Sequence, residues 1–429
     1  MLERLFKFKE NDTNARTEVL AGLTTFMTMA YIIFVNPAIL EAAGLPRVPT
    51  IAATALAAAV PTLLMGFFTN YPFALASGMG LNAVLAYSVV VGMGLPWETA
   101  MGIIFVEGAI ITVLVLTRVR ESVMNAIPMS LKRAIGVGIG LLIAYTGMQY
   151  AGWIVKHPET LTSFGSFHET KTVVATAGLV FILVLMAWRV RGAILIGILG
   201  TTVAALAVGV GTFPTQWVGV PDFSTLGRLD VLGALKLGLV ATIFAFLIVD
   251  FFDTMGTVIG ISGEAGYLRE DGRLPRLGRV LLVDSLAAMW GAMCSASSVT
   301  TYIESASGVS VGGRTGLTAV TVGVLFLLAV FFAPAVSIVP KVATAPALII
   351  VGFLLMMVVK DIPFDNLEEA FPAFLTIIVI PLTLSISRGI GYGFIAYTLV
   401  KLMRGKAREI HPLMIVVSVL FALSFVIQP

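Results

Sequence analysis

Long apolar runs, separated by short polar segments, make up most of the chain between residues 17 and 427. We distinguish fifteen runs, and a helix needs about 20 apolar residues to cross a bilayer. Runs 370–385 and 390–403 are short enough to be half-membrane pieces, so about fourteen spans is the central expectation. The pattern predicts an all-α polytopic membrane protein.

The composition agrees with a membrane protein. Apolar residues make up 58% of the sequence and charged residues 12%, whereas soluble domains average roughly 45–50% and 25%. So few charges cannot cover the surface of a soluble fold of this size. The net charge of +3 is too small to indicate nucleic-acid binding, and one cysteine and three histidines leave no internal His/Cys cluster for a metal.

The positions of lysine and arginine predict the orientation. Residues 1–16 are polar and charged, and the first apolar run follows them directly. If the runs alternate, sixteen basic residues fall on the side of the N-terminus and six on the other side. Basic residues in short loops favour the cytoplasm, so we expect a multi-pass protein of the cytoplasmic (inner) membrane with a cytoplasmic N-terminus.

The two halves of the chain resemble each other weakly. Pro128 and Gly140 in the first half correspond to Pro340 and Gly352 in the second, each at an offset of 212 residues. Half of about fourteen spans is an odd number, so the second copy would enter the membrane with inverted topology. Inverted repeats are typical of secondary transporters, which bind substrate where the repeats meet.

Two runs carry residues that do not suit a continuous membrane helix. Residues 73–87 contain Gly78, Gly80 and Asn82, and residues 297–318 contain hydroxyls, glycines and Glu304. Glycines two apart permit extended backbone, which is tolerated at membrane depth only where protein or a cavity satisfies it. Interrupted helices in matching positions of two halves indicate a transporter site. Close packing through small residues is the alternative for the glycines, but it requires neither Asn82 nor Glu304.

Carboxylates inside the apolar runs are the candidate chemical groups. Asp250 and Asp253 are three residues apart and share one helical face. A charged aspartate at the bilayer centre costs roughly 2.5–3.5 kcal/mol, so two unpaired ones are not expected both to stay ionised. A proton-coupled carrier needs such a group, and no histidine lies in any run. Asp284 and Glu107 are further intramembrane acids, for which a structural role is the alternative.

Three motifs resemble those of the AzgA-type purine permeases, a branch of the nucleobase–ascorbate transporter superfamily. They are residues 78–83 (Gly-Met-Gly-Leu-Asn-Ala), residues 250–257 (Asp-Phe-Phe-Asp-Thr-Met-Gly-Thr) and residues 301–319 around Glu304. The resemblance covers essentially the whole chain and implies two inverted seven-span repeats, with spans 3 and 10 broken by short strands.

The resemblance also implies a division into domains. Residues 1–16 would be a cytoplasmic segment. A core domain would comprise spans 1–4 (17–119) and spans 8–11 (231–340), and a gate domain would comprise spans 5–7 (120–212) and spans 12–14 (341–429). A homodimer surrounded by membrane lipid is expected from the relatives alone.

The function implied is proton-coupled uptake of hypoxanthine, guanine or adenine by alternating access, with the proton as coupling ion and no cofactor. The purine would lie between the broken helices. The candidate substrate-binding residues are Gly80, Asn82, Asp250, Asp253, Thr300, Thr301, Glu304 and Ser305. The candidate proton carriers are Asp250, Asp253, Asp284 and Glu304.

Other functions remain as alternatives. A xanthine or uracil carrier of the same fold is one, although the histidine of the uracil permease motif is missing. An anion carrier is another, but its site would favour positive charge over several carboxylates. A membrane enzyme would carry its acids in surface loops, with metal-binding clusters, so we do not expect an enzyme. Counterflow of labelled substrate would exclude a channel.

Overall fold

The computed structural model describes residues 2–117, 127–211, 216–236, 239–268 and 274–427. Apolar helices dominate these residues, and eight of the described helices are long and apolar enough to cross a membrane. The prediction of a mostly helical, multi-pass membrane protein is therefore confirmed.

The helices of the first half follow the predicted apolar runs. They are α1 (Leu2–Phe6), α2 (Ala15–Met29), α3 (Ile32–Leu40), α4 (Arg47–Thr69), α5 (Met79–Ala83), α6 (Trp97–Thr117), α7 (Met129–Tyr150), α8 (Thr170–Ala187) and α9 (Ala193–Ala207). The apolar run of the sequence begins at residue 134, but its helix begins earlier, at Met129, directly after Pro128. Proline lacks an N–H and suits the start of a helix, where that group needs no partner.

The second half contains α10 (Val231–Ala234), α11 (Val240–Glu264), α12 (Leu277–Met293), α13 (Ser305–Ser310), α14 (Gly316–Ala329), α15 (Ala333–Val336), α16 (Lys341–Met356), α17 (Leu367–Thr383), α18 (Ile386–Met403) and α19 (Pro412–Ile427). One apolar run covers residues 232–257 of the sequence, but two helices occupy this stretch, and the second ends later, at Glu264. Asp230 caps the short α10 by accepting a 2.8 Å hydrogen bond from the Gly233 N–H, and α11 begins only after Lys236 has interrupted the apolar pattern.

Extended backbone interrupts both segments in which the sequence predicts a break. Strand β1 (Leu75–Ser77) precedes α5, which continues into a π-helical segment, Val84–Gly92. A second interruption, Val299–Thr301, precedes α13 and pairs antiparallel with β1. The two strands thus hydrogen-bond to each other, and each satisfies backbone groups that the break in the other segment leaves without a helical partner.

An exposed hairpin between α7 and α8 is not predicted by the apolar pattern. It consists of β2 (Ile154–His157) and β3 (Leu161–Phe164), and the strand that pairs with β1 is therefore β4 (Val299–Thr301). Short strands outside the apolar runs carry no hydrophobic periodicity, which is why the sequence does not indicate them.

The helices pack in two groups. Helices α2, α4, α6, α12 and α14 pack on one another, and strand β1 contacts α4 while β4 contacts α12. Helices α7, α8, α9, α16, α17 and α18 form the second group. Helix α11 packs on α6 and β4 and also reaches α7, α18 and α19, so it lies where the two groups meet.

Glycines bring α7 and α16 into close contact. A Cβ atom on Gly140 would lie 2.7 Å from the carbonyl oxygen of Gly352, and a Cβ on Gly352 would meet the carbonyl oxygen of Gly140. These are the two glycines that the sequence relates by an offset of 212 residues. Pro128 and Pro340 stand just before the first residues of the same two helices. The matched residues therefore occupy equivalent places on two helices that cross.

Candidate functional site

A cavity of about 630 Å³ lies beside the strand pair, between the two helix groups. Its wall is formed by α5, α7, α11, α16 and the segment that follows β4. Its size is within the roughly 300–1,000 Å³ that is typical of small-molecule sites. The polar and glycine positions on this wall include Gly78, Gly80, Lys132, Arg133, Asp253, Thr301, Tyr302 and Glu304.

Glu304 lies on the cavity wall directly before α13. Its Oε1 accepts a 2.5 Å hydrogen bond from the hydroxyl of Tyr31. Tyr31 is buried where α2 and α3 meet. The tyrosine therefore holds one edge of the carboxylate while the group stays in contact with the cavity.

Asp253 reaches the same cavity from α11, where its side chain is exposed. The Thr300 hydroxyl of β4 donates a 3.3 Å hydrogen bond to Asp253 Oδ2. Helix α11 and the segment after β4 each contribute one acid to the cavity. The structure thus brings together Gly80, Asp253, Thr301 and Glu304 of the predicted site.

Asp284 lies behind this wall and holds strand β4. Its Oδ1 accepts hydrogen bonds from the Thr301 backbone N–H (2.9 Å) and the Thr301 hydroxyl (2.8 Å). Its Oδ2 accepts a 2.6 Å hydrogen bond from the Thr254 hydroxyl of α11. One carboxylate therefore connects α12, β4 and α11, which fits the structural alternative for this residue.

Asp250 occupies a different environment from Asp253. It lies one turn earlier on α11, is 1% exposed and stands outside the cavity wall that the described residues form. Its Oδ1 has no hydrogen-bond partner among the described residues, and the same holds for both carboxylate oxygens of Glu107 on α6, a helix that packs on α11. The two aspartates share one face of α11, but only Asp253 reaches the cavity.

Three further predicted residues do not line the cavity that the described residues form, and one of them, Ser305, supports the strand crossing. Asn82 is completely buried on α5, and neither atom of its amide has a hydrogen-bond partner among the described residues. Ser305 Oγ accepts a 2.9 Å hydrogen bond from the Ala74 N–H, which joins the start of α13 to the segment before β1. Asn82, Thr300 and Ser305 lie outside the cavity wall formed by the described residues.

Sequence reasoning missed three polar cavity residues (Tyr302, Lys132 and Arg133) and Tyr31, which contacts the cavity residue Glu304. Tyr31 and Tyr302 frame Glu304, and the Tyr302 hydroxyl donates a 2.6 Å hydrogen bond to the Ser77 carbonyl. Lys132 and Arg133 line the end of the cavity at the start of α7, and Arg133 donates to the Asp361 carbonyl. The basic pair is visible in the sequence as a flank of a span, but only the packing of α7 against α11 places it beside the acids.

Known proteins are similar to this chain in sequence, and others are similar to it in fold. A family model described as the Permease family matches residues 16–392. Adenine permease AdeP of Escherichia coli K12 is 44% identical over 427 residues, which cover 99% of this chain and 96% of AdeP. Guanine/hypoxanthine permease PbuG of Bacillus subtilis is 43% identical over 438 residues, which cover 99% of each chain. The transmembrane domain of the cyanobacterial bicarbonate transporter BicA superposes with a TM-score of 0.66 at 12% identity, covering 87% of this chain and 96% of that one.

The spans, the broken helices and the cavity between two helix groups define a membrane transporter rather than an enzyme. The chain belongs to the nucleobase–ascorbate transporter family of permeases, the family that its sequence motifs predict. The likeness to BicA, at 12% identity, concerns the fold alone.

Proposed function

We propose that the protein carries purine nucleobases (adenine, guanine or hypoxanthine) into the cell together with protons. The observation that carries this proposal is the position of Glu304 and Asp253 on one cavity wall beside the crossing of β1 and β4. The relatives named for adenine and for guanine and hypoxanthine, at 44% and 43% identity, support the same class of substrate.

A purine offers ring and exocyclic N–H donors in one plane, and the cavity offers acceptors to meet them. Tyr31 occupies Glu304 Oε1, so Oε2 is the oxygen proposed to accept from a purine N–H. Asp253, which lies on α11, is proposed to accept a hydrogen bond from a second purine N–H. Backbone groups of residues 78–80, next to β1, line the same cavity and read the ring acceptors. A charge-assisted hydrogen bond contributes about 1.5–3 kcal/mol, so the two acids dominate recognition.

The two helix groups support alternating access as the proposed mechanism. The group that contains β1 and β4 is the proposed core, and the group that contains α7 and α16 is the proposed gate. The contact of Gly140 with Gly352 supports an inverted repeat of seven spans in each half. The basic pair Lys132 and Arg133 at one end of the cavity supports a cytoplasmic opening, with the N-terminus on the same side of the inner membrane.

The electrostatics of the site support the proposed proton coupling. Two carboxylates in one cavity repel each other, and moving them through an apolar gate is costly while both are charged. Binding of a proton together with a purine leaves a site that crosses the gate with less charge. An anion carrier would gain nothing from Asp253 and Glu304, so the likeness of fold to BicA does not favour bicarbonate.

Uptake of labelled bases tests the proposal. Cells without their own purine carriers, expressing this protein, are given labelled adenine, guanine, hypoxanthine, xanthine or uracil, with and without an uncoupler. We expect accumulation of at least one of the first three, and we expect the uncoupler to abolish it. Accumulation of xanthine or uracil alone, or of no base by cells in which the protein has reached the membrane, would contradict the proposal.

A further inference from the structure

Separate helices contact one another at the end of the protein opposite Lys132 and the large cavity. The α7 residues on the wall of that cavity lie within residues 129–139, in the first half of the helix. Tyr150 ends α7, about 27 Å from Lys132 along the helix axis. Its hydroxyl donates a 3.1 Å hydrogen bond to the Ala38 carbonyl and lies 3.3 Å from the Tyr87 hydroxyl. We call this end of the protein the far end.

Ser88 connects the segment that follows β1 to the junction of α17 and α18. It lies in the π-helical stretch Val84–Gly92 and is 1% exposed. Its hydroxyl donates a 3.3 Å hydrogen bond to the Leu384 carbonyl and accepts a 2.8 Å hydrogen bond from the Ile386 N–H. Leu384 follows α17 and Ile386 begins α18. One side chain therefore satisfies two backbone groups at the break between these helices.

The junction that Ser88 contacts has an unusual backbone. Leu384 has a φ of 51°, in the left-handed region that residues other than glycine adopt uncommonly. Ser385 is extended, and its hydroxyl accepts a hydrogen bond from the Arg388 N–H at the start of α18. Such a backbone persists only where its surroundings hold it, and it is typical of segments that switch between conformations. The two hydrogen bonds of Ser88 are part of what holds this junction.

A second cavity, of about 70 Å³, lies beside this contact. Its polar wall includes Ser88 and Thr242 on one side and Ser385, Ser387 and Arg388 on the other. The Ser387 Oγ is buried and has no hydrogen-bond partner among the described residues. Small-molecule sites measure roughly 300–1,000 Å³, so this cavity has room for water but not for a base. A small polar space between apolar helices is what a narrowed, water-filled path would leave.

The far end and the large cavity share one helical segment. Residues 78–81 line the large cavity, and α5 continues without interruption into the stretch that carries Ser88. A shift of this segment that changes the wall of the large cavity therefore also changes the contacts of Ser88.

We propose that Ser88 holds the far end closed, and that the 70 Å³ cavity is the closed form of a second entrance, through which a purine base reaches the site from the other side of the membrane. The inference rests on the proposed alternating access. When the segment after β1 moves against α17 and α18, the contacts of Ser88 break and the small cavity widens. Because the contacts form while the large cavity is open, they stabilise that state over the opposite one.

Cysteine labelling measures the opening of the far end without any substrate. Ser387→Cys places a thiol where the native oxygen is buried beside the small cavity, and Cys294→Ala removes the native thiol. The purified protein in detergent is treated with a water-soluble maleimide, with and without Ser88→Ala. One hydrogen bond shifts a two-state equilibrium by roughly 2- to 12-fold, so Ser88→Ala should accelerate the labelling by a factor in this range.

Two further variants separate a local contact from general loosening. Thr162→Cys lies on the exposed strand β3, in the hairpin that follows α7, and should be labelled at the same rate with and without Ser88→Ala. Tyr150→Phe keeps the ring and removes the neighbouring contacts with Ala38 and Tyr87. It should also accelerate the labelling of Ser387→Cys.

Uptake by cells tests whether the far end is an entrance. Ser88→Ala leaves a larger fraction of the carriers open at the far end, so the KM for the transported purine should fall by up to the factor seen in labelling. A KM that stays the same or rises, while the labelling of Ser387→Cys accelerates, would show that purine does not enter there.

The labelling has its own contradicting results. An unchanged labelling rate of Ser387→Cys in Ser88→Ala would overturn the proposal, and so would an equal acceleration at Thr162→Cys. If Ser88→Ala does not fold, an unchanged rate in Tyr150→Phe has the same meaning. Wild-type cells that take up no purine contradict the proposed function instead, and the labelling still tests the closure of the far end.

Discussion

The hydroxyl of Tyr31 and the carboxylate of Glu304 are joined by a 2.5 Å hydrogen bond between residues 273 positions apart. The bond connects the break between α2 and α3 to the segment after β4. Because it holds Glu304 Oε1, it orients the acid proposed to recognise the substrate. Tyr31 is therefore a positioning residue for that acid.

Tyr31→Phe should weaken purine binding without preventing folding, because phenylalanine keeps the buried ring and removes only the donor. The loss of one hydrogen bond to a charged group corresponds to about 1.5–3 kcal/mol. Most of this free energy should be lost from substrate binding, so we expect a higher KM. Tyr392→Phe, which changes an exposed tyrosine, is the control. An unchanged KM in Tyr31→Phe would show that the bond does not matter for recognition.

Substitution of the cavity acids should separate their roles. Glu304→Gln replaces an acceptor oxygen with a donor amide and should abolish purine binding, measured by binding to detergent-solubilised protein. Asp253→Asn should reduce binding less, because Thr300 donates to that carboxylate only at 3.3 Å and the group is exposed to the cavity. Equal retention of binding in both variants would place the substrate elsewhere.

An ion pair joins the segment after α3 to the start of α16, at the end of the protein away from Lys132. Lys341 Nζ, at the start of α16, lies 3.3 Å from Glu41 Oε1, which follows α3, and Arg47 donates to the Val339 carbonyl beside it. Both side chains of the pair are partly exposed, so the pair contributes at most about 1 kcal/mol. Lys341→Glu should lower the uptake rate a few-fold, and the exchange Glu41→Lys with Lys341→Glu should restore most of it. Failure of the exchange to restore uptake would argue against a direct pairing.

Glu18 should be important for stability rather than for transport. Its carboxylate accepts hydrogen bonds from the backbone N–H groups of Arg314 (2.8 Å) and Thr315 (3.1 Å) and from the Thr318 hydroxyl (2.6 Å). Glu18→Ala leaves these donors without their acceptor, at about 1–3 kcal/mol for each buried one.

Thermal unfolding of the purified protein measures this effect. Glu10→Ala removes an exposed ion pair with Lys7 and should change the melting temperature little. An unchanged melting temperature in Glu18→Ala would mean that other groups satisfy the start of α14.

Much of the site is visible in the sequence because its residues conflict with their surroundings. Glu304 and Asp253 are charged residues in apolar runs, and Gly78 and Gly80 are helix-breaking residues at membrane depth. Each is unfavourable in lipid unless a neighbour compensates for it, so each is identified without knowledge of its neighbour. The two interruptions are identified in the same way. The spans follow from the length of the apolar runs, and the repeat of Pro128 and Pro340 follows from their offset along the sequence.

The sequence by itself determined which residues are out of place in a membrane, since that cost depends on the residue and the length of its apolar run. Only the tertiary structure decided which of them meet. Asp250 and Asp253 look equivalent in the sequence, yet one is buried outside the cavity wall and the other lines the cavity. Tyr31 lies in an unremarkable run and gains its role from Glu304, which is distant in the sequence. These contacts depend on how each helix is rotated and how closely two helices approach. Both are set by the packing of the whole protein, and a local sequence pattern contains no information on them.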